Sequence, residues 1–294
     1  MSEFTTLATG LSFTECPRWR DGRLYLSDMY THRVLAISMD GATELIARVP
    51  QPSGLGFLPD GRLLIVSMRE RKILRRDADG SLSTYADLHS LAPWHLNDML
   101  VDRDGRAWVG NFGFDLMGAA PTSTTVLICV EPDGSAKVAA QDLAFPNGMV
   151  LTPDGRTLIV AETWMNRLTA FTVHQGTLSE RRVWAAFGPP PTSRNATEAL
   201  RQADAAADGI CLDAEGAVWV ADAAHRRLLR VAEHGHILEE LKTEVGVFAC
   251  MLGGEDGRTL FACVAPSHHE SEASINHRAS VLMKKVKVPH AGLP

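Results

Sequence analysis

The chain is most informative first in what it lacks. It has no excess of basic residues: 29 Lys and Arg stand against 35 Asp and Glu, for a net charge of −6 and a pI near 6.0. Nucleic acid and anionic membrane surfaces need a basic patch, so neither is an expected partner. No apolar stretch approaches the roughly 18 residues of a membrane span. The opening MSEFTTLATG shows no basic and apolar signal layout, so a cytoplasmic location is expected. The five cysteines (16, 129, 211, 250 and 263) are odd in number, scattered and without a CxxC pair, which suits reduced thiols better than a disulfide framework. There is no GxSxG for a serine nucleophile, no HExxH, and no Walker lysine; GLGFLPDG starts like a glycine-rich loop and stops there.

What is present is a repeat. An acidic-Gly turn followed by a short β-prone run occurs six times: RDGRLYLSD, PDGRLLIVS, RDGRAWVGN, PDGRTLIVA, AEGAVWVAD and EDGRTLFAC. The glycines fall at 22, 61, 105, 155, 216 and 257, at intervals of 39, 44, 50, 61 and 41 residues. Each copy reads as a hairpin, and a further broken apolar run such as RVLAISMDG or RLLRVAEHG usually follows. Units of this length with about four strands predict propeller blades. The expected fold is therefore all-β: a six-bladed β-propeller of four-stranded blades around a central channel. A β-sandwich would explain the strands but not the sixfold return of one pattern. Trp19, Trp108 and Trp219 fall near equivalent positions and are expected to pack blades.

No linker or low-complexity tract divides the chain, so residues 1–294 are expected to form one domain. The longest interval holds an insertion at about 187–207, near the channel mouth, whose TEALRQADAAA is the one convincing helical stretch, with Thr197 as a cap and Glu198 in the first turn. His268-His269-Glu270 has the composition of a metal cluster but no ligand spacing, and is expected to be a polar surface loop.

Position eight residues before the turn glycine holds Asn97, Asn147 and Asp208 in the third, fourth and fifth units; Ser53 and Ala249 stand there in the second and sixth. In the first unit Thr14 stands there and Glu15 follows it. The strand before the turn is innermost in its blade, so Glu15, Asn97, Asn147 and Asp208 should converge at one end of the channel. A carboxylate there is costly unless it is paired or holds a cation, and no Lys or Arg occupies the equivalent ring positions. Two carboxylates with amide oxygens suit one divalent cation: Ca²⁺, Mg²⁺ or Mn²⁺, with Zn²⁺ also open. Taken singly, Asn-Gly and Asp-Gly are ordinary turn formers.

Taken in order, TECPRW, HLNDMLVDRDGRAWVGN, FPNGMVLTPDGRTLIV and DGICLDAEGAVWVAD resemble the senescence-marker-protein/gluconolactonase family, which includes regucalcin and bacterial sugar lactonases. The likeness runs nearly the whole chain, to the closing PHAGLP. It implies a six-bladed propeller with one divalent cation, with Glu15, Asn147 and Asp208 as metal ligands, Asn97 as a substrate contact and Asp208 also as catalytic base. The implied activity is a metal-dependent lactonase acting on a small lactone. Two departures stand out. The family's Glu-Gly-Pro is Glu15-Cys16-Pro17, and the arginine that sugar-lactone members commonly carry two residues before the Asn is His95, a candidate substrate contact that puts gluconolactone specificity in question. A phosphotriesterase-like hydrolase and a non-catalytic calcium- or ligand-binding propeller are the rival readings, and retention of Glu15 and Asp208 suits a metal in all three. Oligomeric state is not legible.

Overall fold

The computed structural model describes residues 4–292, so the ends of MSEFTTLATG and PHAGLP (residues 1–3 and 293–294) lie outside the described residues. After β1 (Thr5–Leu11), the chain winds one antiparallel sheet after another. The first is β2 (Thr14–Arg20), β3 (Arg23–Asp28), β4 (Arg33–Ser38) and β5 (Thr43–Arg48); the second is β6 (Pro52–Phe57), β7 (Leu63–Ser67), β8 (Lys72–Arg76) and β9 (Leu82–Asp87). The third comprises β10 (Leu96–Val101), β11 (Ala107–Asn111), β12 (Thr125–Val130) and β13 (Ala136–Leu143), and the fourth β14 (Pro146–Leu151), β15 (Thr157–Glu162), β16 (Arg167–His174) and β17 (Thr177–Ala186). The fifth is β18 (Ala207–Leu212), β19 (Val218–Asp222), β20 (Arg227–Val231) and β21 (Ile237–Lys242). The last has only three strands of its own, β22 (Gly246–Gly253), β23 (Thr259–Ala265) and β24 (Ala279–Lys285); β1 pairs with β24 and completes it. The fold is the expected six-bladed propeller of four-stranded blades, and the N-terminal strand locks its ring shut.

The sequence shows why each strand takes its place. Second strands such as LLIVS, AWVGN and VWVAD are buried along their whole length between neighbouring blades, as the near-continuous apolar runs require. Outer strands such as LSTYAD and ILEELK alternate and face water. Trp108 and Trp219 are fully buried, and Trp19 stacks on Phe261 at 5.3 Å between ring centroids, so all three pack blades as expected. The turn glycines at 22, 61, 105, 155, 216 and 257 all have positive φ, which other residues adopt only at a cost.

One sequence expectation needs correction. The insertion helix α1 is shorter, Ala196–Gln202, and its cap is Asn195, whose side chain accepts the Glu198 N–H at 3.0 Å. Asn is the stronger cap, which leaves Thr197 inside the first turn. Beyond Gln202 the backbone is extended because its donors are taken: Ala205 N–H by Asn166 Oδ1 and Ala206 N–H by Asp222 Oδ1. His268 and His269 form the exposed loop expected of them, and a second helix, α2 (Glu270–Asn276), starts at Glu270.

Candidate functional site

The six inner strands β2, β6, β10, β14, β18 and β22 pack side by side around the channel. Each carries a bulge near its start; in four of them it lies between Glu15 and Arg18, Leu96 and Met99, Pro146 and Met149, and Ala207 and Ile210. A bulge breaks the strand's alternation and re-aims a side chain. The glycines of Asn147-Gly148 and Asp208-Gly209 are not turn residues. They let inner strands touch: a Cβ on Gly148 would lie 2.5 Å from Ile210 N, and one on Gly209 would lie 2.6 Å from Ala249 Cα.

Glu15, His95, Asn97, Asn147 and Asp208 all line one cavity of about 410 Å³ at the start of the inner strands. At the other end Arg18, Leu100, Met149, Leu151, Leu212 and Met251 line a space of only about 20 Å³. The C-terminal segment crosses there, with Asp213 bridged to His290 and Ala291 N–H donating to Leu212 O.

Burial pushes the Glu15 carboxyl well above its ordinary range, and the charges of Asp208 and Asp98 push it further. Burial and the charge of Asp98 do the same to Asp208, against a hydrogen bond from Asn147. Asn147 Nδ2 donates to Thr163 Oγ1 at 3.2 Å, and Thr163 Oγ1 in turn donates to Ala207 O at 2.8 Å. Asn97 Nδ2 is buried without a partner. Among the described residues no group of three or more His, Cys, Asp and Glu could hold a metal; the donors here are two carboxylates and two amides. Two buried carboxylates that repel each other, with an orphaned amide alongside, are the surroundings a hard divalent cation stabilises, so the residues fit the implied metal.

Sequence reasoning missed the layer beneath. Arg18, three residues after Glu15, is buried and pairs with Asp98 at 3.1 Å, also donating to Pro17 O and Met99 O. The Cys16 thiol donates to Asp98 Oδ1 at 3.0 Å. Cys16 has φ near +50°, the left-handed region where glycine is at ease. Asp98 follows Asn97 directly, and only the bulge brings both inside.

His268, His269 and Glu270 line the cavity together with Asn195, Thr197 and Leu200 of the insertion. Arg69 holds Glu270 at 2.5 Å, and Tyr30 Oη donates to His268 O at 2.6 Å. Trp164 Nε1 donates to Ala196 O at 3.1 Å, and Thr122 N–H donates to Arg194 O at 2.7 Å. His95 stacks on Trp94, and burial pulls its pKa down.

The chain is thus a propeller with two carboxylates and two amides lining one open cavity. Residues 13–265 match the family model described as SMP-30/Gluconolactonase/LRE-like region, and the chain belongs to that family. It is similar to a 6-deoxy-6-sulfogluconolactonase of Pseudomonas putida, 25% identical over 95% of this chain and 93% of the relative. It is also similar to a regucalcin of Xenopus laevis, 24% identical over 85% and 82% of the two chains. Among solved structures, a gluconolactonase of Xanthomonas campestris superposes with a TM-score of 0.73 at 24% identity, covering 99% of this chain and 89% of that one. A calcium-binding regucalcin of Agrobacterium tumefaciens superposes with a TM-score of 0.79 at 20% identity, covering 99% and 96%. At these identities the structural matches speak for the fold.

Proposed function

We propose that the protein is a divalent-metal-dependent lactonase, with Glu15, Asn147 and Asp208 as the residues that hold the metal. The observation that carries this reading is the pair of buried carboxylates, Glu15 and Asp208, facing the same cavity as the unpartnered Asn97 amide. Family membership and the gluconolactonase relatives support it. A bound divalent cation would supply Lewis-acid polarisation of a carbonyl and acidification of water.

The chain's own residues supply the rest. Asn97 Nδ2 donates to the lactone carbonyl oxygen, the partner it lacks within the protein, and so orients the ester. Asp208 takes a proton from water as its oxygen attacks the carbonyl carbon. Collapse of the tetrahedral species breaks the ring C–O bond. The proton held by Asp208 passes to the departing alkoxide oxygen, and the product is a hydroxy acid that ionises in water. Arg18 keeps Asp98 fixed, so Asp98 remains a steady neighbour of the base. Residues 187–207 act as part of a lid, since α1 forms one wall of the mouth.

The test is a pH-indicator screen of lactones and p-nitrophenyl phosphotriesters, with chelated protein and with added Ca²⁺, Mn²⁺, Mg²⁺ or Zn²⁺. Metal-restored acid release from lactones supports the reading. Turnover of phosphotriesters alone, or metal binding with no turnover, would replace it with one of its rivals.

A further inference from the structure

The chain has only 6 Trp, 3 Tyr and 10 Phe, yet six of these line the one cavity: Phe13, Tyr30, Phe112, Phe145, Trp164 and Phe248. They form two faces. On one, Phe145 lies 4.5 Å from Phe112 and 4.4 Å from Trp164 between ring centroids. On the other, Phe13 lies 4.8 Å from Phe248 and 5.8 Å from Tyr30. Met29 and Met68 line the same cavity.

Several polar groups of the wall are spent on the protein itself. Thr163 binds Asn147 and Ala207 O, Arg69 binds Glu270, Tyr30 Oη binds His268 O, and Asn195 caps α1. His95 stacks on the Trp94 ring. Gln51, His95, Thr197, His268 and His269 add polar groups to the lining, but aromatic and aliphatic side chains outnumber them. Hydroxyls buried without partners bind poorly, whereas apolar surface placed against such walls binds well.

We infer that the cavity selects lactones whose ring bears apolar aryl or alkyl substituents over polyhydroxylated sugar lactones, an inference that rests on the hydrolase reading of the same site. The lactone carbonyl meets Asn97 and Asp208, and the substituent lies between the two aromatic faces. At about 410 Å³ the cavity is ample for a bicyclic lactone.

The experiment compares kcat/KM on metal-supplemented protein for dihydrocoumarin, δ-decalactone, δ-valerolactone and D-glucono-1,5-lactone, each corrected for spontaneous opening. The two apolar-substituted lactones should exceed gluconolactone on the order of 100-fold, and exceed the bare ring of valerolactone as well. Met68→Gln, close in shape but polar, should narrow the gap mainly through KM for the apolar substrates; Phe248→Asn should do so more strongly if it folds. Gluconolactone equal to or better than the apolar pair would overturn the inference while leaving the lactonase standing, and an unchanged ranking in Met68→Gln would also count against it. If no lactone is opened, the hydrolase reading fails. Calorimetry with non-hydrolysable lactams then decides the selectivity: binding of 3,4-dihydroquinolin-2-one without binding of gluconolactam supports it, and the reverse, or no binding of either, overturns it.

Discussion

At the residue scale, Asp208 carries two tasks in the proposed mechanism, and a single substitution separates them. Asp208→Asn keeps the size and one oxygen but removes charge and basicity. Turnover at saturating metal should fall by about 10²-fold or more, since general-base catalysis is typically worth 10²–10⁴. Thermal stability of the metal-free protein should hold or rise, because burial and the charge of Asp98 already oppose ionisation there. Activity assays and thermal unfolding on one preparation check both. Asp208 was legible in the sequence because the repeat put it in register with Asn97 and Asn147. Asp98 and Arg18 were not, because strand alternation would send neighbours of a channel residue outward, and the bulges cancel that alternation. The aromatic walls were legible only in part: Phe13 and Phe248 both stand nine residues before their turn glycines, whereas Phe145 and Trp164 do not share that position.

At the element scale, three blades repeat one device that the turn pattern concealed. The last residue of the second strand is a fully buried carboxylate: Asp28, Glu162 and Asp222. Each pairs with the arginine five residues on, Arg33, Arg167 or Arg227, and accepts a backbone N–H from Ser12, Ala144 or Ala206, just before the inner strand of its own blade. These staples fix the inner-strand starts, where the site residues stand. For Asp28, burial alone would raise the carboxyl pKa, but hydrogen bonds from Ser12, Thr31 and Arg33 outweigh it and hold the group below its usual range. A depressed folded pKa gives stability that is present above the unfolded carboxylate pKa and is lost as pH falls through the folded one. Asp28→Asn should therefore destabilise the protein by about 2–4 kcal/mol at neutral pH and flatten the loss of stability below about pH 4; urea unfolding across pH measures both. Equal pH slopes in the two proteins would contradict the account of Asp28.

The insertion belongs to the same scale. Its stretch was legible as helical, but its anchors were not, because Asn166 and Asp222 are distant in sequence. Removing 187–207 entirely would strip the hydrogen bonds to Ala205 and Ala206. Replacing only residues 190–202 with a short Gly-Ser link should raise KM several-fold and leave the melting temperature within a few degrees, because surface loops contribute little core. A large loss of stability with unaltered kinetics would make the segment structural.

At the scale of the whole molecule, the propeller was readable because six turns returned at blade length. Closure by β1 was not, since nothing in TTLATGL marks a partner near the other end of the chain; the pairing of Thr5 with Met283 exists only once the ring is complete. The ring carries a large cavity at the start of its inner strands, and the proposed cation there would make the ring's stability depend on what neutralises the two buried carboxylates. A cation held at 100 times its Kd stabilises by about 2.7 kcal/mol, so chelation should lower the melting temperature by several degrees.

The most direct test is calorimetric titration of Ca²⁺ or Mn²⁺ into chelator-stripped wild-type protein, Glu15→Gln and Asp208→Asn, with lactonase kcat read at metal saturation on the same samples. One site per chain is expected in the wild type, with affinity weakened in both variants, since ligand charge sets much of the binding to hard cations. At saturation kcat should be lost most heavily in Asp208→Asn. Unchanged affinity in both variants would remove the carboxylate pair as the metal site, and full activity of metal-saturated Asp208→Asn would remove Asp208 as the base.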